Sequence, residues 1–123
     1  MTNRYLGFVP YLFYDDLAVA LEWYTRVFGF EEINRWTNEA GKIHNAEMRV
    51  GDCELWLDGS GRRKDSDPRP HWIGITVDDV DAIYSRVRAA GVQCDAPVDR
   101  EFGVRMLNVP DPMGYLWGFI KRR

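Results

Sequence analysis

The chain is poor in the residues that most often carry chemistry. It has two histidines and two cysteines, and its 16 Lys and Arg are outnumbered by 19 Asp and Glu, for a net charge of −3. That balance argues against nucleic acid or an anionic membrane surface as the main partner, because both call for a basic face. No apolar run approaches the roughly 18 residues that a membrane span needs, and the opening Met1-Thr2-Asn3-Arg4-Tyr5 lacks the apolar stretch of a signal peptide. Cys53 and Cys94 lie 41 residues apart and form neither a CxxC motif nor a disulfide framework. They read as reduced, structural residues of a cytoplasmic protein. There is no serine nucleophile elbow, no phosphate-binding glycine loop and no His-x-x-x-His pair, and Gly59-Ser60-Gly61 lacks the strand and helix that would make it catalytic.

What the chain does have is aromatic side chains, 14 % of 123 residues, within a composition of 46 % hydrophobic and 28 % charged that suits one domain with a real core. It also says nearly the same thing twice. Tyr14-Asp15-Asp16-Leu17 opens a helix after one apolar strand, and Val77-Asp78-Asp79-Val80 does so 63 residues later. The first helix stops at Gly29-Phe30 and the second at Gly91-Val92, and Leu55-Trp56 is echoed by Leu116-Trp117 at an offset of 61. Two copies of one module, paired to form a cleft, are expected.

In the first copy, 7–14 reads as a strand, with Pro10 at an edge or bulge. Asp15 or Asp16 then caps a helix whose Leu17, Ala20, Leu21, Tyr24, Val27 and Phe28 share one face, ended by Gly29. Strands follow at 30–36, 42–50 and 53–57, the first two joined by the hairpin loop Asn38-Glu39-Ala40-Gly41. Gly59 to Pro70 contains no apolar residue and reads as an exposed linker, its Arg62-Arg63-Lys64 run answered at once by Asp65 and Asp67. In the second copy, 71–77 is a strand, Asp78 caps a helix presenting Val80, Ile83, Val87 and Ala90, and 92–96, 104–109 and 115–120 are strands. Asp111-Pro112-Met113-Gly114 turns between the last two. Module one thus spans 5–58, the linker 59–70 and module two 71–121. The fold class is α+β: two tandem βαβββ modules forming a cleft-shaped, eight-stranded mixed sheet with a helix packed on each half.

An apolar strand leading into Asp-Asp-Leu, a helix containing Trp23-Tyr24 and ending Phe28-Gly29-Phe30, and a terminal Asp-Pro-Met-Gly-Tyr-Leu-Trp resemble the vicinal oxygen chelate superfamily. That superfamily includes glyoxalase I, fosfomycin-resistance enzymes, extradiol dioxygenases and bleomycin-resistance proteins. The resemblance covers essentially the whole chain. It implies a divalent metal held by one residue from each of four strands, stabilising the charge that develops on two adjacent substrate oxygens. Carried over by motif, the four positions are Val9, Leu57, Trp72 and Gly118, none of which offers a metal anything. No metal and no cofactor are therefore expected. A register shift of one would turn His71 inward instead of Trp72, and His44 with Glu47 or Asp58 could make a displaced site, although a lone strand histidine is more often a surface or packing residue.

Alternation along the strands places Val9, Tyr11, Phe13, Leu55, Leu57, Trp72, Gly74, Thr76, Leu116 and Gly118 toward the cleft. Phe8, Leu12, Trp56, Ile73, Ile75, Val77, Trp117 and Phe119 are expected to face the helices. The cleft floor would be aromatic and apolar, with Gly74 and Gly118 leaving room over it. The resemblance adds Phe102, from the loop Arg100-Glu101-Phe102, and Arg105, near the mouth of the family's pocket, the arginine either to pair an anionic ligand group or in a surface ion pair. The pattern is similar to the metal-free bleomycin-resistance branch, which implies a homodimer that sequesters an aromatic or antibiotic-like small molecule without turnover. The alternative is an enzyme of the same superfamily, of lyase, isomerase or dioxygenase type, with a non-standard metal site or none.

Overall fold

The structure, a computed structural model, describes residues 4–61 and 71–123. The linker residues Arg62 to Pro70 lie outside it. The described chain divides into two compact units, 4–25 with 29–61 and 26–28 with 71–123. Each of the two βαβββ repeats supplies one four-stranded mixed sheet.

In the first repeat, β1 (Tyr11–Phe13) is followed by α1 (Leu17–Trp23), β2 (Glu31–Thr37), β3 (Ile43–Val50) and β4 (Cys53–Asp58), in the sheet order β1-β4-β3-β2. β1 pairs parallel to β4, and the other neighbours are antiparallel. Only three residues of the expected first strand join the sheet. Gly7 has φ of +145° and Pro10 has no N–H, so among the described residues the backbone before Tyr11 contributes a single acceptor, Pro10 O to Trp56 N at 3.0 Å. Phe8, expected against the helix, is instead 97 % exposed.

Helix α1 begins where Asp16 Oδ1 accepts from Val19 N at 3.3 Å. Its apolar stripe Leu17, Ala20, Leu21, Tyr24, Val27 and Phe28 is buried as the spacing predicts. From Tyr24 to Phe28 the turns widen to π-helical geometry before Gly29 closes the helix at φ +76°. The Tyr14 and Tyr24 hydroxyls meet at 2.7 Å in the core, so neither buried phenol is left unsatisfied. α1 packs on β3.

The second repeat runs β5 (Trp72–Thr76), α2 (Val80–Ala89), β6 (Val98–Arg100), β7 (Val104–Pro110) and β8 (Leu116–Arg122), in the order β5-β8-β7-β6 with β5 parallel to β8. α2 is capped by Asp79, whose Oδ1 accepts from Ala82 N at 3.0 Å, rather than by Asp78. Asp16 and Asp79 are themselves 63 residues apart, so the second aspartate of each pair caps its helix. The strand expected at 92–96 does not form. Val92 N is spent on Val87 O at 3.2 Å, completing the helix end, and Pro97 can give no ladder hydrogen bond.

The second core is anchored by Trp117 and Phe119, 1 % and 2 % exposed. Phe28 meets both rings near edge-on, at centroid distances of 5.7 and 5.1 Å. The buried carboxylate of Asp111 accepts from Met113 N, Tyr115 N and, at 2.8 Å, the Trp117 indole, so one side chain holds the β7–β8 turn and orients the largest core ring.

Candidate functional site

Which side chains share a face follows from register, and in the first sheet register overturns part of the expectation. Tyr11 stands opposite Trp56 and Leu12 opposite Leu57 in the β1–β4 ladder. Trp56, expected on the helix side, therefore shares the open face with Tyr11. Leu55 and Leu57, expected to face a ligand, are 2 % and 0 % exposed in the core. The cause is a slip of one residue between the two copies. Tyr14 N donates to Asp58 O and Val77 N to Ile120 O, both at 2.8 Å, so the last strands correspond at an offset of 62, not at the 61 of the Leu-Trp echo. A one-residue slip sends every side chain to the opposite face.

The open face of the first sheet is aromatic and polar rather than aromatic and apolar. Asn45 and Glu47 of β3 stand opposite Asp58 and Trp56, and Trp36 and Asn34 of β2 stand opposite Asn45 and Glu47. Together they bound a cavity of about 310 Å³ lined by Tyr11, Trp36, His44, Asn45, Ala46, Glu47 and Trp56. Tyr11 and Trp56 meet edge to face at 6.2 Å and 84°, and Phe13 lies 5.3 Å from Tyr11.

A chain of hydrogen bonds fixes the Tyr11 phenol. Asn45 Nδ2 donates to its oxygen at 2.7 Å, and the hydroxyl donates to Asp58 Oδ2 at 3.1 Å. Beyond Asn45, its Oδ1 meets His44 Nδ1 at 2.8 Å. Asp58, 2 % exposed, is further satisfied by the backbone N–H and hydroxyl of Ser60. Trp56 Nε1 donates to Glu54 Oε1 at 2.9 Å, and Asn34 Nδ2 to Glu47 Oε1 at 2.9 Å. Of the seven lining residues, the sequence reading placed only Tyr11 toward a ligand, and it named His44 and Glu47 only as members of a displaced metal site. Trp36, Asn45 and Ala46 went unnoticed.

In the second sheet, Trp72 stands opposite Leu116 and Gly74 opposite Gly118. With Thr76 they share one face, as alternation predicts, while Trp117 and Phe119 are buried on the other. The room over the glycines is filled by Trp72 itself. A Cβ on Gly74 would stand 2.8 Å from the Trp72 ring, and one on Gly118 would run into the indole. Trp72 Nε1 donates to Asn108 Oδ1 at 2.9 Å, which pins the ring in that position.

Arg105 takes the second of its two expected roles, the surface ion pair. It shares a strand face with buried Leu107 and Val109, and its guanidinium is forked onto Asp81 of α2, at 3.2 and 2.9 Å, and bound to Asp99 at 3.0 Å. These partners raise its pKa, with Asp81 the larger cause, and lower that of Asp81. It is a surface ion-pair residue on the helix side. Phe102 is 70 % exposed at the β6–β7 turn, and Val9, before β1, is 42 % exposed.

With the register corrected, the positions at which the family resemblance implies metal ligands are Val9 and Trp56 in the first unit and Trp72 and Gly118 in the second. Aliphatic carbon, an indole N–H and a bare Cα supply no lone pair, so these residues do not fit a divalent cation. Among the described residues no three His, Cys, Asp or Glu side chains are grouped to hold one. Cys53 is exposed and free rather than packed, while Cys94 is free and half-buried, with burial pushing its thiol pKa up. No helix among the described residues is long and apolar enough to cross a membrane.

The family model of the Glyoxalase/Bleomycin resistance protein/Dioxygenase superfamily matches residues 5–119, and the chain belongs to that superfamily. It is similar to the uncharacterized protein Mb0911c of Mycobacterium bovis, 31 % identical over 118 residues that cover 88 % of this chain and 78 % of the relative. Among solved structures it resembles TioX from Micromonospora sp. ML1, with 28 % identity, a TM-score of 0.76, and 94 % and 97 % of the two chains covered. It shares its fold with a glyoxalase-related enzyme from Clostridium phytofermentans, at 13 % identity, a TM-score of 0.79 and 98 % of each chain.

Proposed function

We propose that the protein is a metal-independent small-molecule binder of the glyoxalase and bleomycin resistance type, which sequesters a planar, antibiotic-like ligand without turnover. The observation that carries this reading is the first-unit cavity, walled by Tyr11, Trp36 and Trp56. Rigid rings give a flat ligand a large contact area at little cost in ordering. The side chains at the implied metal positions support binding rather than Lewis-acid chemistry, and the Trp72 face of the second unit, with Gly74, Thr76, Leu116 and Gly118, is a second aromatic surface for such a ligand. We place the protein in the cytoplasm as a homodimer, an arrangement favoured by the prevalence of isologous dimers.

A thermal-shift screen against natural-product antibiotics and planar metabolites tests this reading, because a ligand that binds only the folded state raises the melting temperature. A reproducible rise with members of the planar set is expected. No rise at ligand concentrations in the millimolar range overturns it.

One observation favours a second reading, a metal-independent enzyme of the superfamily. Tyr11 hydrogen-bonds both to the buried Asp58 carboxylate and to Asn45, which touches His44, and such a chain can hold and move a proton at a ligand oxygen. Chemical change of a bound compound on prolonged incubation, abolished in Tyr11→Phe, would establish this reading in place of the first.

A further inference from the structure

Resting on that binding reading, we propose that the first-unit cavity is built for an organic cation: a planar ring system that carries a positive charge. Among the described residues, Glu47 is the one carboxylate that lines it, and neither Lys nor Arg does. Asn34 Nδ2 holds Glu47 Oε1 at 2.9 Å, which leaves Oε2 without a hydrogen-bond partner among the described residues. Arg49 stands on the same strand face opposite Glu54 and Glu31 and does not line the cavity.

The hydrogen-bond donors of the wall are largely spent on the protein itself. The Tyr11 hydroxyl gives its hydrogen to Asp58, the Trp56 indole N–H goes to Glu54, and Asn45 Nδ2 donates to Tyr11. An anionic ligand would find few donors and would stand beside an unpaired carboxylate oxygen, a repulsion that its own burial makes worse. A cation meets the reverse: Glu47 for its charge and three electron-rich rings in the cavity wall, the kind of lining by which aromatic cages take cationic ligands.

The test compares three ring systems of nearly equal size: N-methylquinolinium, neutral N-methyl-2-quinolone and anionic 2-naphthoate. Each is titrated into isotopically labelled full-length protein, with binding followed by the backbone and indole resonances of the cavity. N-methylquinolinium is expected to bind about tenfold more tightly than the quinolone, the scale of a partly desolvated cation–π and carboxylate contact, with 2-naphthoate weakest. Glu47→Gln keeps the side chain's shape and its acceptor for Asn34. It should remove most of the cation preference while leaving the quinolone affinity within about twofold, and its amide spectrum reports whether it is folded. The wild-type comparison does not depend on that variant. Equal binding of the three probes, or preference for either of the others, overturns the charge assignment and leaves the binding reading standing. A cation preference unchanged in Glu47→Gln also overturns the assignment. Absence of binding by all three overturns the inference and the binding reading together.

Discussion

Trp56 stands directly opposite Tyr11 where β4 runs parallel to β1, and the two rings meet edge to face at 6.2 Å. Their neighbours Leu12 and Leu57, one residue along, form the next rung with their side chains on the other face. A ligand surface and a core surface are thus separated by a single position in the chain.

Exchanging those two positions for alanine should have opposite consequences. Trp56→Ala, at a residue 38 % exposed, should leave a folded protein and weaken binding of a planar ligand by about 1–3 kcal/mol. Leu57→Ala, at a fully buried residue, should cost about 2–5 kcal/mol of stability. Denaturant melts and ligand titrations on the two variants measure this. Lost stability in Trp56→Ala with unchanged affinity would contradict the face assignment.

Much of the architecture was legible because local rules and tertiary packing agree. The stripe from Leu17 to Phe28 is amphipathic at helical spacing, and Gly29 and Gly91 sit where helices need positive φ, +76° and +85°. The site was less legible because period-2 alternation carries no register of its own. The Leu-Trp echo suggested an offset of 61, whereas backbone pairing to Asp58 and Ile120 sets 62, and the difference inverted β4. The role of Arg105 stayed open between ligand and ion pair for a related reason. Its strand face could be read, but its partner Asp81 comes from a helix far off in sequence. Phe8 was expected against the helix because 7–14 reads as a strand, but its segment does not pair as one and the ring is exposed.

Gly118→Ala tests the second sheet. An added Cβ would occupy the place of the Trp72 indole, so the ring should swing off Gly74 and lose its hydrogen bond to Asn108. A red shift of Trp72 emission in a protein lacking the other exposed tryptophans is expected, with a stability loss of about 1–3 kcal/mol. An unchanged Trp72 environment would contradict the overlying placement.

Asp111→Asn should loosen the β7–β8 turn and the core together, because its Oδ1 accepts two backbone N–H groups and its Oδ2 the Trp117 indole. A loss of about 1–3 kcal/mol is expected from replacing a charged acceptor with a neutral one in a buried site. Trp117→Ala should cost more, about 3–5 kcal/mol. Urea melts rank the two, and the reverse order would show that the ring is not the anchor.

Elemental analysis of protein purified without chelator should find no stoichiometric Zn, Ni, Fe or Mn, since the corrected positions Val9, Trp56, Trp72 and Gly118 carry no ligand for one. About one tightly held metal per chain would place a site that these side chains do not explain.

Indole resonances read most directly whether the ligand lies in the first-unit cavity. The five tryptophans give five Nε1–H signals, assignable by single substitution to phenylalanine. With a planar compound selected by thermal shift, the Trp36 and Trp56 signals should move together and saturate while those of buried Trp23 and Trp117 stay in place. Saturable movement confined to Trp72, with Trp36 and Trp56 unchanged, would put the ligand on the second sheet instead.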